Sequence, residues 1–272
     1  MQGFGKIPEE LKNMPHLRST YIREFRKSPR HYFLREDIQE TPSMKLGTAF
    51  HTALLEPEKY QKNYVEIPSF EKKSKYQTLT IKEQLERWKE ENKDSVTISS
   101  EDRDKVKMML ASCLDNPIIN KIVNNEHALI EKEFYMVKDE ICYTGTPDII
   151  IPELNLVIDV KTTTDASPNK WSKAIHDREY MIQAALYIDA MNAIFGKEFN
   201  RFIWVVVENK HPYSAMTYFA EPSLLDLGRN LILNASSDFK NCLLENNWPS
   251  YKTGLVPCSL PVYAWSQYES EE

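Results

Sequence analysis

The sequence predicts an α/β (α+β) fold in which a central mixed sheet of about five strands is flanked by helices and preceded by a helical region. Three observations predict it. Residues 1–127 place apolar residues at helical intervals, residues 128–221 hold extended apolar runs around one long helical segment, and residues 222–272 open with another helix. The chain has 272 residues, of which 42% are hydrophobic, so it is long enough for one large domain or two small ones and can bury a full core. We expect a single domain over 1–272.

Helical spacing in residues 1–127 predicts several helices that end near prolines. The first covers 17–25 and stops before Ser28-Pro29, because the residue before a proline avoids helical backbone angles. Ser99 or Ser100 is expected to cap a helix that includes 106–114. The polar stretch 58–92 is expected to be an exposed excursion. The remaining predicted helices lie at 32–34, 43–55, 80–91 and 118–123.

Extended runs after residue 128 predict the sheet. Three consecutive runs are expected to form a meander, at 128–137, 141–151 and 154–161. The helical segment 171–195 is apolar on most faces, so we expect it to be buried against the sheet. Strands at 202–208 and 215–220 complete the sheet. A last helix over 223–244 precedes a proline- and aromatic-rich tail.

Composition excludes several classes of protein. No run of about eighteen apolar residues exists to span a bilayer, and the first residues lack the apolar stretch of a secretory signal. We therefore expect a cytoplasmic protein with no membrane partner. The cysteines stand far apart without a Cys-x-x-Cys pair, which argues against a zinc ribbon or a disulfide framework. They are expected to be buried thiols: Cys113, Cys142, Cys242 and Cys258.

The distribution of charge differs from its total. The formal net charge of −6 is unusual for a nucleic-acid enzyme, because phosphate contacts rely on lysine and arginine. Residues 1–35, however, contain eight Lys or Arg against three Glu, a net charge of +5. A basic arm that faces DNA is one interpretation, and solvation of helix faces is the other.

Asp148, Asp159 and Lys161 are the strongest candidates for a functional site. Side chains alternate along a strand, so Asp159 and Lys161 point to one face. If 141–151 and 154–161 form a hairpin that turns at residues 153 and 154, Asp148 lies opposite Asp159. Two carboxylates this close favour a bound Mg²⁺ or Mn²⁺. The alternative is a solvated strand edge with a surface ion pair.

His51 and two glutamates are further candidates. Neutral imidazole is a common metal ligand, although a lone histidine on an amphipathic helix is usually structural or exposed. Glu131 and Glu133 are two residues apart on the first strand of the meander and are expected to share a face. Glu133 is the better candidate to reach the metal site or the attacking water, and a strand-edge carboxylate without a role is the alternative.

Gln183 and Tyr187 are four residues apart, so they share one face of the helix that follows the Asp/Lys strand. Their polar ends need partners. Either they reach the candidate site, or they are buried and bonded to backbone groups.

Four motifs now carry a resemblance, because they occur in the order found in RecB-like members of the PD-(D/E)XK nuclease superfamily. They are Gly47-x-x-x-His51-x-x-Leu54, Gly145-x-x-Asp148, Asp159-x-Lys161 and Gln183-x-x-x-Tyr187. Residues 27–32, 46–57 and 97–117 are more closely similar to the C-terminal nuclease domain of RecE-type exonucleases, a phage and prophage recombination family. The resemblance spans roughly residues 16–245 and implies a single nuclease domain with a restriction-endonuclease-like core.

The resemblance implies an enzyme class and its partners. It implies a Mg²⁺-dependent exodeoxyribonuclease that degrades linear double-stranded DNA from the 5′ end and leaves 3′ overhangs, using two Mg²⁺ or Mn²⁺ ions. It also implies a single-strand annealing protein as partner and a ring-shaped homo-oligomer. The iron–sulfur branch needs an early cysteine and a late cysteine trio, which this spacing does not supply, so no iron–sulfur cluster is expected.

The resemblance also implies roles residue by residue. The implied metal ligands are His51, Asp148, Asp159 and the backbone carbonyl of Val160. The implied catalytic residues are Lys161 as the catalytic lysine, Glu133 as an auxiliary acid, and the motif residues Gln183 and Tyr187. A basic residue such as Arg26 or Arg30 is expected to hold the terminal 5′ phosphate.

Two other interpretations of the sequence stay open. One is that the chain is an endonuclease of the same fold, and the other is that it is a catalytically inactive DNA-binding module. Every polar position of the motifs is occupied, which argues against the inactive module.

Overall fold

The strands and helices follow the apolar patterns of the sequence in most places. The computed structural model describes residues 1–36, 39–72, 74, 78–251, 253–260 and 265. The strands in these residues are β1 (Gln2–Phe4), β2 (His16–Leu17), β3 (Tyr64–Glu66), β4 (Val96–Ile98), β5 (Leu129–Ile130), β6 (Phe134–Lys138), β7 (Ile141–Gly145), β8 (Ile149–Ile151), β9 (Leu156–Thr163), β10 (Arg201–Glu208) and β11 (Ala215–Phe219). The helices are α1 (Ser19–Lys27), α2 (Pro29–Phe33), α3 (Pro42–Leu55), α4 (Pro57–Asn63), α5 (Ile81–Glu91), α6 (Ser100–Asp115), α7 (Pro117–Val123), α8 (Pro168–Asp177), α9 (Tyr180–Phe195) and α10 (Pro222–Glu245).

Prolines and polar caps set most helix starts. A proline stands in the first turn of α2, α3, α4, α7, α8 and α10. Ser99 caps α6, and Thr80 and Glu83 form a capping box at α5. The single helix predicted over 171–195 is wrong, because it divides into α8 and α9 at Glu179. This residue has φ 48° and ψ 44°, a left-handed backbone that interrupts a helix.

The central sheet has the strand order β11-β10-β9-β8-β5. Strands β9 and β10 are parallel and the other pairs are antiparallel, so the predicted mixed sheet of about five strands is confirmed. One face buries Val157 and Trp204 in a core that includes residues of α9 and α10. The other face buries Ile158 and Val205 with residues of α3, α6 and α7. Because both faces are covered, β9 and β10 are apolar along most of their length.

The predicted meander over 128–161 is wrong as a single unit, because its first two strands each divide between two sheets. Strands β6 and β7 form a hairpin in a second sheet of order β1-β6-β7-β2, whereas β5 and β8 join the central sheet. The chain changes sheets at Glu131, whose φ of 50° is left-handed, and again at Thr146-Pro147. Proline lacks the N–H group that a sheet ladder needs.

The polar excursion 58–92 contains more regular structure than the sequence predicts. It includes most of α4, all of β3 and α5, and β3 pairs in parallel with β4. Residues 73 and 75–77 of the excursion lie outside the described residues, as does most of the C-terminal tail after residue 260.

Two expectations from composition can be compared with the described residues. Cys113, Cys142 and Cys242 are buried free thiols as predicted, whereas Cys258 is exposed. None of the helices described is both long and apolar enough to cross a membrane.

Candidate active site

The β8–β9 hairpin brings Asp148 and Asp159 together. Its register pairs Ile149 with Ile158, so the next position places Asp148 beside Asp159, as the sequence predicts. Asp148 is 8% exposed and Asp159 only 1%. A buried carboxylate destabilises a fold unless nearby charges or hydrogen bonds compensate for lost hydration. The partners of these two carboxylates therefore define the site.

Asp148 contacts His51 and Glu131, and we call these three residues the His51 group. Asp148 Oδ2 accepts a hydrogen bond of 2.5 Å from the Val160 backbone N–H and lies 3.0 Å from His51 Nε2. The other imidazole nitrogen, Nδ1, lies 3.1 Å from Glu131 Oε1. One nitrogen or oxygen atom from each of the three side chains lies within 4.8 Å of the others. The group has the composition and spacing of a metal site.

The charge of the His51 group depends on its imidazole. Burial favours the neutral ring, but the hydrogen bonds and charges of Asp148 and Glu131 outweigh burial and raise the pKa of His51 to about 10. The protonated ring thus neutralises one of the two negative charges that it bridges. A divalent cation bound by the same nitrogen and oxygen donors would supply this positive charge instead of the proton, so the donor set fits Mg²⁺ or Mn²⁺.

Asp159 belongs to a second group, with Lys161, Gln183 and Tyr187, which we call the Lys161 group. Asp159 Oδ1 accepts a hydrogen bond of 2.9 Å from Gln183 Nε2, and Oδ2 forms an ion pair with the Lys161 ammonium. Gln183 Nε2 also donates to the Tyr187 hydroxyl at 3.1 Å, and this hydroxyl donates to the Thr146 carbonyl at 3.3 Å. The side chains of α9 therefore fix the carboxylate of β9.

Burial and charge set the protonation of the Lys161 group. Burial raises the pKa of Asp159 to about 6, and Asp148 adds to this rise while Lys161 opposes it. Burial would lower the pKa of Lys161, but the Asp159 and Asp148 carboxylates outweigh it and raise that pKa above its ordinary value. Burial raises the pKa of Tyr187 to about 12, so its hydroxyl keeps the proton that it donates. Lys161 is therefore an ammonium ion at neutral pH.

A glycine makes the contact between the second sheet and α9 possible. A Cβ atom on Gly145 would lie 2.5 Å from Tyr187 Cε1 and 2.9 Å from Phe134 Cε1. Only glycine lets the end of β7 pass this close to the Tyr187 ring.

Lys161 lies between two cavities. The larger cavity has a volume of about 810 Å³ and is lined by α3 with His51, the end of β9, and α8. The smaller cavity, of about 460 Å³, is lined by the start of α1 with Arg18 and Arg23, the end of β7, and α9. Lys161 and Tyr180 line both cavities. A long polar ligand can therefore reach the ammonium from either side.

Comparison with protein families agrees with this arrangement. Residues 19–258 match the model of a PDDEXK-like domain of unknown function (DUF3799), which is most of the chain. The chain belongs to the DUF3799 family. The resemblance to the PD-(D/E)XK superfamily is therefore confirmed at superfamily level.

A solved structure shares the fold of this DUF3799 protein. A candidate exonuclease from Eubacterium rectale aligns with a TM-score of 0.62 and 10% identity, over 97% of this chain and 99% of that chain. At this identity the likeness shows the fold alone, and it confirms the predicted nuclease-like α/β fold. A phage-related exonuclease from Haemophilus somnus 129PT aligns at a TM-score of 0.39 and 12% identity, over 86% and 97% of the two chains, which is too distant to support an argument. A search of curated proteins found no significant match.

The structure of the DUF3799 chain brings most of the predicted site residues together. The two groups and their immediate surroundings contain His51, Asp148, Asp159, Val160, Lys161, Gln183 and Tyr187. The His51 group and the Lys161 group meet at the neighbouring carboxylates of Asp148 and Asp159.

The structure separates the two candidate glutamates. Glu131 contacts His51, whereas Glu133 is exposed and lines the smaller cavity with Lys161. The expectation that the two share one strand face is wrong, because the left-handed backbone at Glu131 interrupts the alternation between β5 and β6. The sequence favours Glu133 as the glutamate of the metal site, whereas the structure places Glu131 beside His51.

Arg26 and Arg30, the expected phosphate-binding residues, line neither of the two cavities. Arg26 binds both carboxylate oxygens of Glu179 at 2.8–3.2 Å, and Arg30 is exposed and lines neither cavity. Arg18 and Arg23 line the smaller cavity instead. Helical spacing identified a basic segment but did not predict which of its faces meets the site.

Tyr180 is a site residue that the sequence interpretation did not name. Its ring centroid lies 5.3 Å from Lys161 Nζ. Tyr180 is three residues before Gln183 and seven before Tyr187, so helical spacing places all three on one face. This spacing was the signal that could have identified it.

Proposed function

We propose that this DUF3799 protein is a Mg²⁺- or Mn²⁺-dependent exodeoxyribonuclease of the RecE-type branch. It would degrade linear double-stranded DNA from the 5′ end and leave 3′ overhangs for recombination. One observation carries the proposal: the His51 group lies beside the Asp159–Lys161 ion pair, and Lys161 lines both cavities. The PDDEXK-like family and the fold shared with a candidate exonuclease support it.

The metal would be held mainly by the His51 group. His51, Glu131 and Asp148 would supply side-chain ligands, joined by Asp159 and the backbone carbonyl of Val160, and we propose two ions. When bound, such ions act as Lewis acids that stabilise negative charge on a phosphate. Asp148 is already oriented by the Val160 N–H, so little side-chain entropy remains to be lost on binding.

Lys161 would supply the fixed positive charge of the reaction. The attacking water gives a proton to bulk solvent as its oxygen bonds to phosphorus, while the bond from phosphorus to the leaving oxygen breaks and that oxygen takes up a proton from solvent. The ammonium would stabilise the developing negative charge on that water, which is electrostatic stabilisation by a preorganised group. Asp159 orients Lys161, and Gln183 orients Asp159 through the hydrogen bond to Oδ1.

The DNA end would be bound in the smaller cavity. Arg23 Nη1 donates to the Arg178 carbonyl at 2.9 Å, and its buried Nε has no hydrogen-bond partner among the described residues. Arg18, the N-cap residue of α1, lines the same cavity. We therefore assign the terminal 5′ phosphate to Arg18 and Arg23 instead of Arg26 or Arg30, because guanidinium groups pair well with phosphate oxygens.

A nuclease assay with two substrates tests the proposal. Linear duplex DNA labelled at either end and covalently closed circular DNA are incubated with the protein and Mg²⁺, with chelator as control. We expect consumption of the linear form alone, with the label at the 5′ end released first. An endonuclease would nick the circle, and a binding module would leave both substrates intact. Either result would refute the exonuclease proposal.

We also propose a ring-shaped homo-oligomer and a single-strand annealing partner. Both follow from the resemblance to RecE-type enzymes. Sedimentation equilibrium tests the first, because a mass near the 31.8 kDa of one chain would exclude a stable ring. Copurification with an annealing protein, and faster strand annealing when both proteins are present, test the second.

A further inference from the structure

Tyr180 contacts the lysine of the site and lies outside its motifs. The Lys161 ammonium lies 5.3 Å from the Tyr180 ring centroid and also pairs with Asp159. An aromatic ring attracts a cation through its π electrons, so Lys161 is held by a carboxylate and a ring. Tyr180 in turn stacks on Trp171, with centroids 5.4 Å apart and ring planes 26° apart.

Trp171 gives Tyr180 a rigid support. It is 2% exposed, stacks on Tyr218 at 5.9 Å, and meets the edge of Trp204 at 6.0 Å. Three elements, α8, β10 and β11, therefore fix the surface on which the Tyr180 ring rests. The position of the ring depends next on the backbone that carries it.

That backbone begins at the left-handed residue Glu179. Arg26 holds the Glu179 carboxylate through Nε and Nη2, and Arg23 Nη1 donates to the carbonyl of Arg178. The pair is partly exposed, and the three hydrogen bonds that join the guanidinium to the carboxylate orient both side chains. Two arginines, one turn apart on α1, thus bind consecutive residues of the α8–α9 joint.

We infer that Tyr180 is a positioning residue for the Lys161 ammonium, and that the Arg26–Glu179 pair fixes the place of Tyr180. The inference rests on the proposed nuclease function. A lysine side chain has many rotamers, whereas electrostatic stabilisation requires a charge at a fixed distance from the reacting oxygen. Asp159 binds one side of the ammonium, and the ring restricts its remaining movement.

Variants of Tyr180 test the first half of the inference. We expect Tyr180→Ala to lower kcat on linear duplex DNA by about 10- to 100-fold while KM stays within about twofold, because misplacement of a reacting group mainly costs turnover. Tyr180→Phe keeps the ring and should retain most of the activity. Tyr135→Ala removes a half-buried ring from the second sheet and is the matched control for folding. Full activity of Tyr180→Ala, or a loss that appears only in KM, would overturn the inference.

A charge exchange tests the second half. Arg26→Glu and Glu179→Arg should each lower kcat, and the double variant should recover most of the loss because the pair is restored in reverse. Glu179→Gly keeps a left-handed backbone without the carboxylate and should resemble the single variants. If Arg26 contacted DNA instead, its variants would raise KM and reduce the salt dependence of binding, and the exchange would not rescue them.

Lys161→Ala distinguishes this inference from the proposed function. If Lys161→Ala is inactive while Tyr180→Ala and Arg26→Glu are fully active, only the positioning role is wrong. If Lys161→Ala digests DNA at the wild-type rate, the proposed nuclease site itself is wrong.

Discussion

The His51 group and the Lys161 group compensate buried negative charge in different ways. In the first, the protonated His51 ring lies between the carboxylates of Asp148 and Glu131, with one nitrogen facing each. In the second, Asp159 is held by a covalently attached ammonium and by the Gln183 amide. A proton can exchange with a metal ion, whereas the ammonium of Lys161 cannot leave. The difference suggests that the His51 group can hold either a proton or a metal ion, while the Lys161 group keeps the same positive charge throughout.

Removal of the Lys161 ammonium should have the largest effect on the rate of DNA digestion. We expect Lys161→Met to lower the rate of DNA digestion by about 10²- to 10³-fold, because a preorganised stabilising group is lost. The protein should stay folded, since Asp159 can take up a proton when its partner is absent. Release of acid-soluble nucleotides measures the rate, and circular dichroism measures folding. Lys170→Met, an exposed lysine on α8, is the control and should act as wild type.

Metal binding to the His51 group should stabilise the protein. We expect Mg²⁺ or Mn²⁺ to stabilise the chelator-treated protein and so to raise its melting temperature. At a metal concentration of a hundred times Kd, the free energy of unfolding should increase by about 2.7 kcal/mol. Glu131→Gln should remove most of this response, because it takes a charged ligand from the His51 group. Glu133→Gln is the matched control and should keep it. The reverse result would mean that the wrong glutamate has been placed at the metal.

A packing change tests the rigidity of the Lys161 group. We expect Gly145→Ala to reduce the free energy of unfolding by about 1–3 kcal/mol, since the new Cβ would overlap the Tyr187 and Phe134 rings. Urea denaturation measures the change. Gly47→Ala is the comparison: its Cβ would meet only Thr162 Oγ1, at 3.2 Å, and alanine favours the helix by about 0.8–1 kcal/mol. Equal destabilisation of the two variants would contradict the close contact at Tyr187.

The smallest effect should come from one hydroxyl. Tyr187→Phe removes the hydrogen bonds to Gln183 and Thr146, and we expect a loss of about 0.5–1.5 kcal/mol in stability with a reduced rate of digestion. Tyr143→Phe breaks a 2.7 Å hydrogen bond to Ser236 away from the site. It should cost similar stability and leave digestion unchanged. A Tyr187→Phe enzyme with the wild-type rate would limit the role of this hydroxyl to folding.

Local periodicity predicted the parts of the site that lie on regular elements. Alternation along β9 and the hairpin register placed Asp148 beside Asp159, and helical spacing placed Gln183 and Tyr187 on one face. Each of these depends on neighbours in the chain. A sequence pattern is therefore sufficient to predict which of these residues lie side by side.

Periodicity failed where the backbone leaves regular geometry. Glu131 and Glu179 both have left-handed backbone angles, which glycine usually adopts. Because neither residue is glycine, the sequence does not indicate the break after β5 or the joint between α8 and α9. The partner of Arg26 was equally hidden, because Glu179 lies 153 residues further along the chain. Tertiary contacts decide such positions, and a single sequence does not reveal them.

The site is assembled from segments that are far apart in the order of synthesis. His51 precedes Glu131 by 80 positions and Tyr187 by 136, so the residues that hold and orient the reactive groups emerge from the ribosome at very different times. A growing chain that ends before α9 has no Gln183 or Tyr187 to orient Asp159. The separation delays assembly of the site until the sheet and α9 have been made.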